Sequence, residues 1–170
     1  ARVKERVRRR LIHLVDRHLL TRNVRRLFTL SRTVQARLEQ FGRIPSEVLY
    51  PPAPPRAYRC EEYGDYILAV SRLTPLKRLD LVLRAVARPE AREVRLVVVG
   101  QGDQAEALQR LAGELVLGDR VPFEGAGDAE QLTLRLARCR AVCFPPFNED
   151  YGFVTVEAFA SRKPVVTCTD

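Results

Sequence analysis

The chain has no C-x-x-C pair, and none of its four cysteines, Cys60, Cys139, Cys143 and Cys168, has a histidine at ligand spacing. That argues against a zinc site or a disulfide framework and leaves the thiols as small apolar residues expected inside the fold. Histidine is scarce: His13 and His18 are the only two, both in a basic leading segment and outside any metal or catalytic pattern. They read as ordinary helix residues. No apolar run approaches the roughly 20 residues that span a bilayer. The opening "ARVKERVRRR" lacks the apolar core of a signal peptide, so a cytoplasmic protein is expected. With 46% apolar and 29% charged residues over 170 positions, the composition is that of a soluble globular chain with a sizeable core. The first residues look helical from the start and the last strand has no closing element, so a piece of a longer protein is expected.

What is present is unevenly spread. Residues 1–57 carry 14 Lys and Arg against 4 Asp and Glu, a balance of +10, whereas residues 58–170 carry 15 against 17, a balance of −2. The basic first third could meet nucleic acid or an anionic membrane face, but without interleaved aromatics a solvated helix face is the simpler reading. Within it, Val3, Val7, Leu11, Leu14 and Val15 recur at helical spacing and predict an amphipathic helix through about Leu20. "LFTL" at 27–30 predicts a strand, and Ser31 is placed to cap a helix that Gly42 ends. A brief strand within "EVLY" then leads to four prolines in residues 51–55, a stiff extended stretch that marks a domain boundary near residue 57.

From Tyr66 onward, short apolar runs alternate with helical periodicity. "YILAV" (66–70), "RLVVVG" (95–100), "VPFEG" (121–125), "AVCF" (141–144) and "PVVT" (164–167) predict five strands, with intervening helices bearing Leu79, Leu83 and Val86, then Ala107, Leu108 and Leu111, then Leu132 and Leu136. Five such units predict an α/β fold with a doubly wound, Rossmann-like parallel sheet, in which ligands gather beyond the C-terminal strand ends. Ser71, Arg72 and Lys77 follow the first strand; Gly100, Gly102 and Asp103 the second; Gly125 to Asp128 the third; Pro145 to Gly152 the fourth. All of the unusual residues fall on one edge.

Arg72 and Lys77 there could clamp a pyrophosphate, although each alone could be surface charge. Arg78 is expected to face solvent. "GQGD" at 100–103 lacks the third glycine of a dinucleotide fingerprint, so Gly100 and Gly102 read as turn glycines with Asp103 capping the next helix. "GAGD" at 125–128 reads as a capped turn whose open backbone at Gly127 could admit a nucleobase. The richest stretch is "FNEDYGFVTVEAFASRKPVV" at 147–166. If a helix begins near Gly152, the free amides of Gly152, Phe153 and Val154 offer an anion site, and Glu157, one turn on, reaches back toward it. A carboxylate there suits the vicinal diol of a ribose, while Glu149 on the loop can accept from the hydroxyls of a second sugar. As bland alternatives, Glu149 is a loop acid and Glu157 an exposed helix residue.

Together these residues resemble the retaining glycosyltransferases of family 4, with their two-domain B-type fold. "SRLTPLKR" resembles the family's first-strand signature, "VVVGQGDQAEAL" its second strand and turn, "DRVPFEGAG" its third, and "PPFNEDYGFVTVEAFASRKPVV" its E-x7-E segment. The likeness is close over residues 66–170 and looser over 27–57, which resemble the last strand and helix of an acceptor-binding domain. It implies that Arg72 and Lys77 bind the donor diphosphate and stabilise the departing nucleotide, that Glu149 holds the transferred sugar, that Gly152, Phe153 and Val154 meet phosphates and sugar, that Glu157 binds ribose, and that the Gly127 turn lies by the base. Ser71 departs from the glycine common in the family. The resemblance implies transfer of a hexosyl group, with GDP-mannose a slight favourite among UDP- and GDP-sugars, to a glycan or lipid-linked acceptor, without a cofactor or divalent metal. Since lipid-linked acceptors are common in the family, it is compatible with peripheral contact of the basic N-terminal segment at the inner or cytosolic membrane face. Residues 58–170 would supply only the donor site, so the isolated chain is expected to transfer no sugar. The competing expectations are a nucleotide-sugar-binding module without catalysis and a nucleic-acid or membrane binder led by residues 1–26.

Overall fold

The computed structural model describes residues 2–168, with side chains from residue 4 onward. It divides into two units, Ala1–Pro52 and Ala53–Asp170, the break falling inside the proline run. In the first unit, α1 (Arg2–His18) is followed by a wider helical turn at Leu19–Asn23, so the regular helix stops two residues short of the expected Leu20. Its Val7, Leu11, Leu14 and Val15 are all exposed. Val3 lies outside the residues whose side chains are described. The strand β1 (Phe28–Thr29) pairs in parallel with β2 (Glu47–Val48). Between them runs α2 (Arg32–Gly42), capped by the Ser31 hydroxyl, which accepts from the Val34 amide. Gly42 is the last helical residue. Arg43, rather than the glycine, takes the left-handed conformation at φ 51° and returns its N–H to the Glu39 carbonyl.

In the second unit the β-branched runs pair as expected. The strands β3 (Tyr66–Val70), β4 (Arg95–Val99), β5 (Ala141–Cys143) and β6 (Val165–Val166) form one parallel sheet in the order β4-β3-β5-β6. Side-chain alternation along the strands sorts the core into two layers. Ala69, Leu96 and Val98 pack with α3 (Leu79–Val86) and α4 (Ala105–Glu114). Leu68, Val97, Val99 and Val142 pack with α5 (Ala129–Arg138) and α6 (Phe153–Ala160). Helices therefore cover both faces, the doubly wound arrangement expected. Each fully buried leucine among these, such as Leu68, Leu96 and Leu136 at 0% exposure, contributes about 1.5–3 kcal/mol.

Residues 121–125 do not form a strand. They touch β4 through a single bridge between Phe123 and Val98, with Val98 donating to the Pro122 carbonyl, Glu124 to the Val98 carbonyl and Gly100 to the Gly125 carbonyl. Pro122 has no N–H for a ladder, and Gly125 leaves extended geometry at φ 67°. The segment still occupies the outer side of β4, so the spatial order corresponds to 3-2-1-4-5. A second difference lies at α4, where Gln104 stands at the helix start without a side-chain cap, so Asp103 is not the capping residue. The loop is held instead by backbone: Leu73 donates to Gln101 and Gln104 to Leu73.

Of the four cysteines only Cys139 is fully buried; Cys60, Cys143 and Cys168 keep some exposure. Burial pushes the Cys139 and Cys143 thiols from the ordinary 9.0 up to about 11. Lys163, 2% exposed, donates to the Glu62 carbonyl and to Cys60 Sγ at 3.2 Å, with its ammonium 4.4 Å from the Tyr63 ring centroid. It fastens residues 60–63 to the turn between α6 and β6.

Candidate functional site

The strand order decides where the unusual residues meet. The chain passes from β3 to β4 on one side and later to β5 on the other, so the winding reverses between β3 and β5, where a crevice opens at the C-terminal strand ends. The two loops that leave those ends are joined, the Phe147 amide donating to the Leu76 carbonyl at 2.8 Å. Lys77 ends a short 3-10 turn (Pro75–Lys77) after β3, and its ammonium forms an ion pair with the Glu149 carboxylate from the loop after β5. Their side chains are only 17% and 28% exposed, and the Lys77 ammonium also lies 5.2 Å from the Phe144 ring centroid. At this depth the pair is only partly screened by water.

Gly152 begins α6. It sits in the left-handed region at φ 76°, and a Cβ on it would stand 2.9 Å from Phe144 Cε1 and 3.6 Å from Glu149 Cγ. Only glycine fits this turn without strain. Among the described residues no acceptor takes the amides of Gly152, Phe153 or Val154; the first return bond is from the Thr155 amide to the Gly152 carbonyl. A helix of eight residues thus presents its positive end beside Lys77 and Glu149.

Other expected residues stand apart. Arg72, two residues beyond β3, is exposed, and its guanidinium has no hydrogen-bond or ion-pair partner among the described residues, so it does not share the Lys77 ion pair. Next to it, the Ser71 hydroxyl is buried without a hydrogen-bond partner. Arg78 does not simply face solvent: it is half-buried at φ 52° and donates to Cys168 Sγ at 3.5 Å. Gly100 and Gly102 serve close packing, since Cβ atoms there would come within 1.9 Å of the Ser71 carbonyl oxygen and 2.2 Å of the Leu73 carbonyl oxygen. Gly127 lies in the exposed turn before α5, which Asp128 caps by accepting from the Gln131 amide. Among the described residues no three His, Cys, Asp or Glu side chains gather as a metal site would need, and no helix is long and apolar enough to cross a membrane.

Glu157 is not an exposed helix residue. It is 6% exposed, and its Oε1 accepts from Arg56 Nη1 at 2.5 Å and from the Tyr58 hydroxyl at 3.1 Å. Burial, and next the Glu157 carboxylate, push the Tyr58 hydroxyl above its usual range, so it stays a donor. Arg56 and Tyr58 are absent from the sequence-based site. They directly follow the proline run, whose local pattern reports only an extended connection.

Comparisons with known proteins agree with this architecture. Residues 56–169 match the family model described as Glycosyl transferases group 1. Among curated relatives, the D-inositol 3-phosphate glycosyltransferase of Frankia alni is 37% identical over 114 residues, covering 61% of this chain and 28% of that protein. The enzyme of the same name from Stackebrandtia nassauensis is 40% identical over 106 residues, covering 56% and 24%. The match therefore spans about a quarter of these relatives. Among solved structures, Anabaena HepE in complex with UDP-glucose superposes with a TM-score of 0.74 at 24% identity, covering 91% of this chain and 48% of that one. WaaG, a glycosyltransferase involved in lipopolysaccharide biosynthesis, superposes with a TM-score of 0.73 at 21% identity, covering 84% and 44%. With the family model matched from Arg56 through all four strands of the sheet, the chain belongs to the glycosyl transferases group 1 family.

Proposed function

We propose that the chain is the donor-binding part of a glycosyltransferase, holding a nucleoside-diphosphate sugar from which a hexosyl group passes to an acceptor hydroxyl with retention of configuration. The observation that carries this reading is the Lys77–Glu149 ion pair beside the amides of Gly152, Phe153 and Val154, which no acceptor takes among the described residues. A diphosphate seated on those amides would compete with Glu149 for Lys77. Once released, Glu149 becomes an acceptor for the hydroxyls of the transferred sugar, so a single exchange of partners binds both halves of the donor. Arg72, uncommitted at the same edge, adds a second cation. As the bond between sugar and phosphate breaks, these cations and the helix end stabilise the charge growing on the leaving diphosphate, with no divalent metal in the scheme. Glu157 accepts from the ribose, and the turn around Gly127 lies by the base.

A structural neighbour solved with UDP-glucose and relatives named for an inositol phosphate acceptor support a UDP donor and a hydroxyl acceptor. GDP-mannose remains in the panel on sequence likeness. Calorimetric titration with UDP- and GDP-sugars tests the reading. Binding of at least one donor is expected, with Glu157→Ala weakening all of them about 10-fold, the value of one hydrogen bond to a charged group. The proposal fails if no nucleoside diphosphate binds. Donor binding without sugar transfer in any longer protein that carries this chain would instead make this a binding module.

For α1 we propose peripheral contact with an anionic membrane at the cytosolic side. Val7, Leu11, Leu14 and Val15, exposed at 52%, 57%, 66% and 55%, run between arginines as an interfacial helix requires. Co-sedimentation with phosphatidylglycerol vesicles, weakening as salt rises, is the expected result, and no binding at low salt removes the idea.

A further inference from the structure

We propose that Arg56 and Tyr58 are positioning residues of the nucleotide site, fixing the Glu157 carboxylate through one oxygen so that the other is presented to the diol of the ligand. The inference rests on the reading of Glu157 as the ribose acceptor. Both bonds to the carboxylate, from Arg56 Nη1 and from the Tyr58 hydroxyl, end on Oε1. Among the described residues Oε2 accepts from nothing, and it is not one of the buried polar atoms left without a partner. One oxygen is thus anchored while the other stays available.

The physical need for an anchor is clear. A carboxylate at 6% exposure loses most of its hydration, which is unfavourable unless a cation and a hydrogen-bond donor replace the water. A glutamate also turns about three side-chain torsions, and an acceptor that must meet two adjacent hydroxyls gains from being held still beforehand. Arg56 and Tyr58 are suited to hold it. They follow Pro54 and Pro55, which restrict the backbone that delivers them, and Tyr58 is packed against the core layer that contains Val154 and Ala158 of α6. Arg56 also lines a cavity of about 380 Å³ with Ala129, Thr133 and Leu134, next along the chain from the turn containing Gly127.

A purely structural ion pair and a positioning pair differ in one readout, the discrimination between ribose and deoxyribose. Titrations of the full chain with UDP and GDP, and with their 2′,3′-dideoxy counterparts, measure it in Glu157→Gln, Arg56→Gln, Arg56→Lys and Tyr58→Phe. The unsubstituted chain should prefer the ribonucleotide by about 10-fold or more, about 10-fold being the value of one hydrogen bond to a charged acceptor. Glu157→Gln should abolish that preference. Arg56→Gln and Tyr58→Phe should each reduce it about 3-fold or more without weakening the dideoxynucleotide, and Arg56→Lys should restore part of it. If Glu157→Gln flattens the preference while Arg56→Gln and Tyr58→Phe keep it whole, or weaken both nucleotides equally, the positioning role is overturned and the donor reading stands. If Glu157→Gln keeps the preference, or neither nucleotide binds, the ribose role of Glu157 fails and takes this inference with it. Should Arg56→Gln fail to fold, Tyr58→Phe, which removes a single hydroxyl, decides the matter.

Discussion

Replacing Lys77 by alanine is expected to weaken binding of UDP and GDP to the chain by about 10- to 100-fold, read by titration calorimetry, because a charge-assisted bond of about 1.5–3 kcal/mol is removed. The loss should exceed that from Arg72→Ala, since Lys77 is 17% exposed and Arg72 is open to water, where screening reduces each contact. The substitution also leaves the Glu149 carboxylate beside the helix end with no cation, so that it repels the incoming phosphate. Lys77→Ala with Glu149→Gln should therefore recover part of the affinity, whereas two independent sites would simply add their losses. In any protein that carries this chain and transfers sugar, the same change should lower kcat/KM by a factor of about 10²–10³, the usual scale for removing one preorganised group facing developing charge. Unchanged nucleotide affinity in Lys77→Ala would detach the ion pair from the donor site.

Gly152→Ala is expected to destabilise the chain by about 2–3 kcal/mol, read as a lower urea midpoint with an unchanged slope. Two costs add. A side chain at φ 76° carries the left-handed penalty of about 1–2 kcal/mol. The new Cβ would also press on Phe144 Cε1 from 2.9 Å, and that ring, 6% exposed, is packed in the core layer with Val154 and Ala158 and cannot swing away freely. The same substitution at Gly113, inside α4, meets nothing within 4 Å and should stabilise by about 0.5–1 kcal/mol through helix propensity. Opposite signs for one chemical change at two glycines would confirm that the turn, not glycine content, is what matters. If Gly152→Ala is neutral, the turn is not rigidly built, and preorganised amides at α6 lose their support.

Much of the sheet could be read from local sequence pattern alone, because β-branched runs such as "RLVVV" between turn residues have few other solutions. The segment at 121–125 looked equally good, and it fell short because Pro122 cannot donate and Gly125 turns the chain away. Gly152 and the start of α6 were legible for a local reason: a glycine turn, then "FVTVEAFA". Arg56 and Tyr58 were not, since their partner Glu157 lies 101 and 99 residues further along the chain. Nor did spacing reveal that Lys77 would pair with Glu149, 72 residues away, and leave Arg72 alone.

By itself the sequence determined the order of the elements apart from the segment at 121–125, the two apolar faces of the sheet and the edge that collects cations, glycines and acids. These follow from backbone periodicity and burial, which act over a few residues at a time. Only the tertiary structure decided which charge meets which: Lys77 with Glu149, and Glu157 with Arg56 and Tyr58. Side-chain pairing depends on which loops the reversal of winding between β3 and β5 brings side by side, and that is a property of the folded topology rather than of any local stretch.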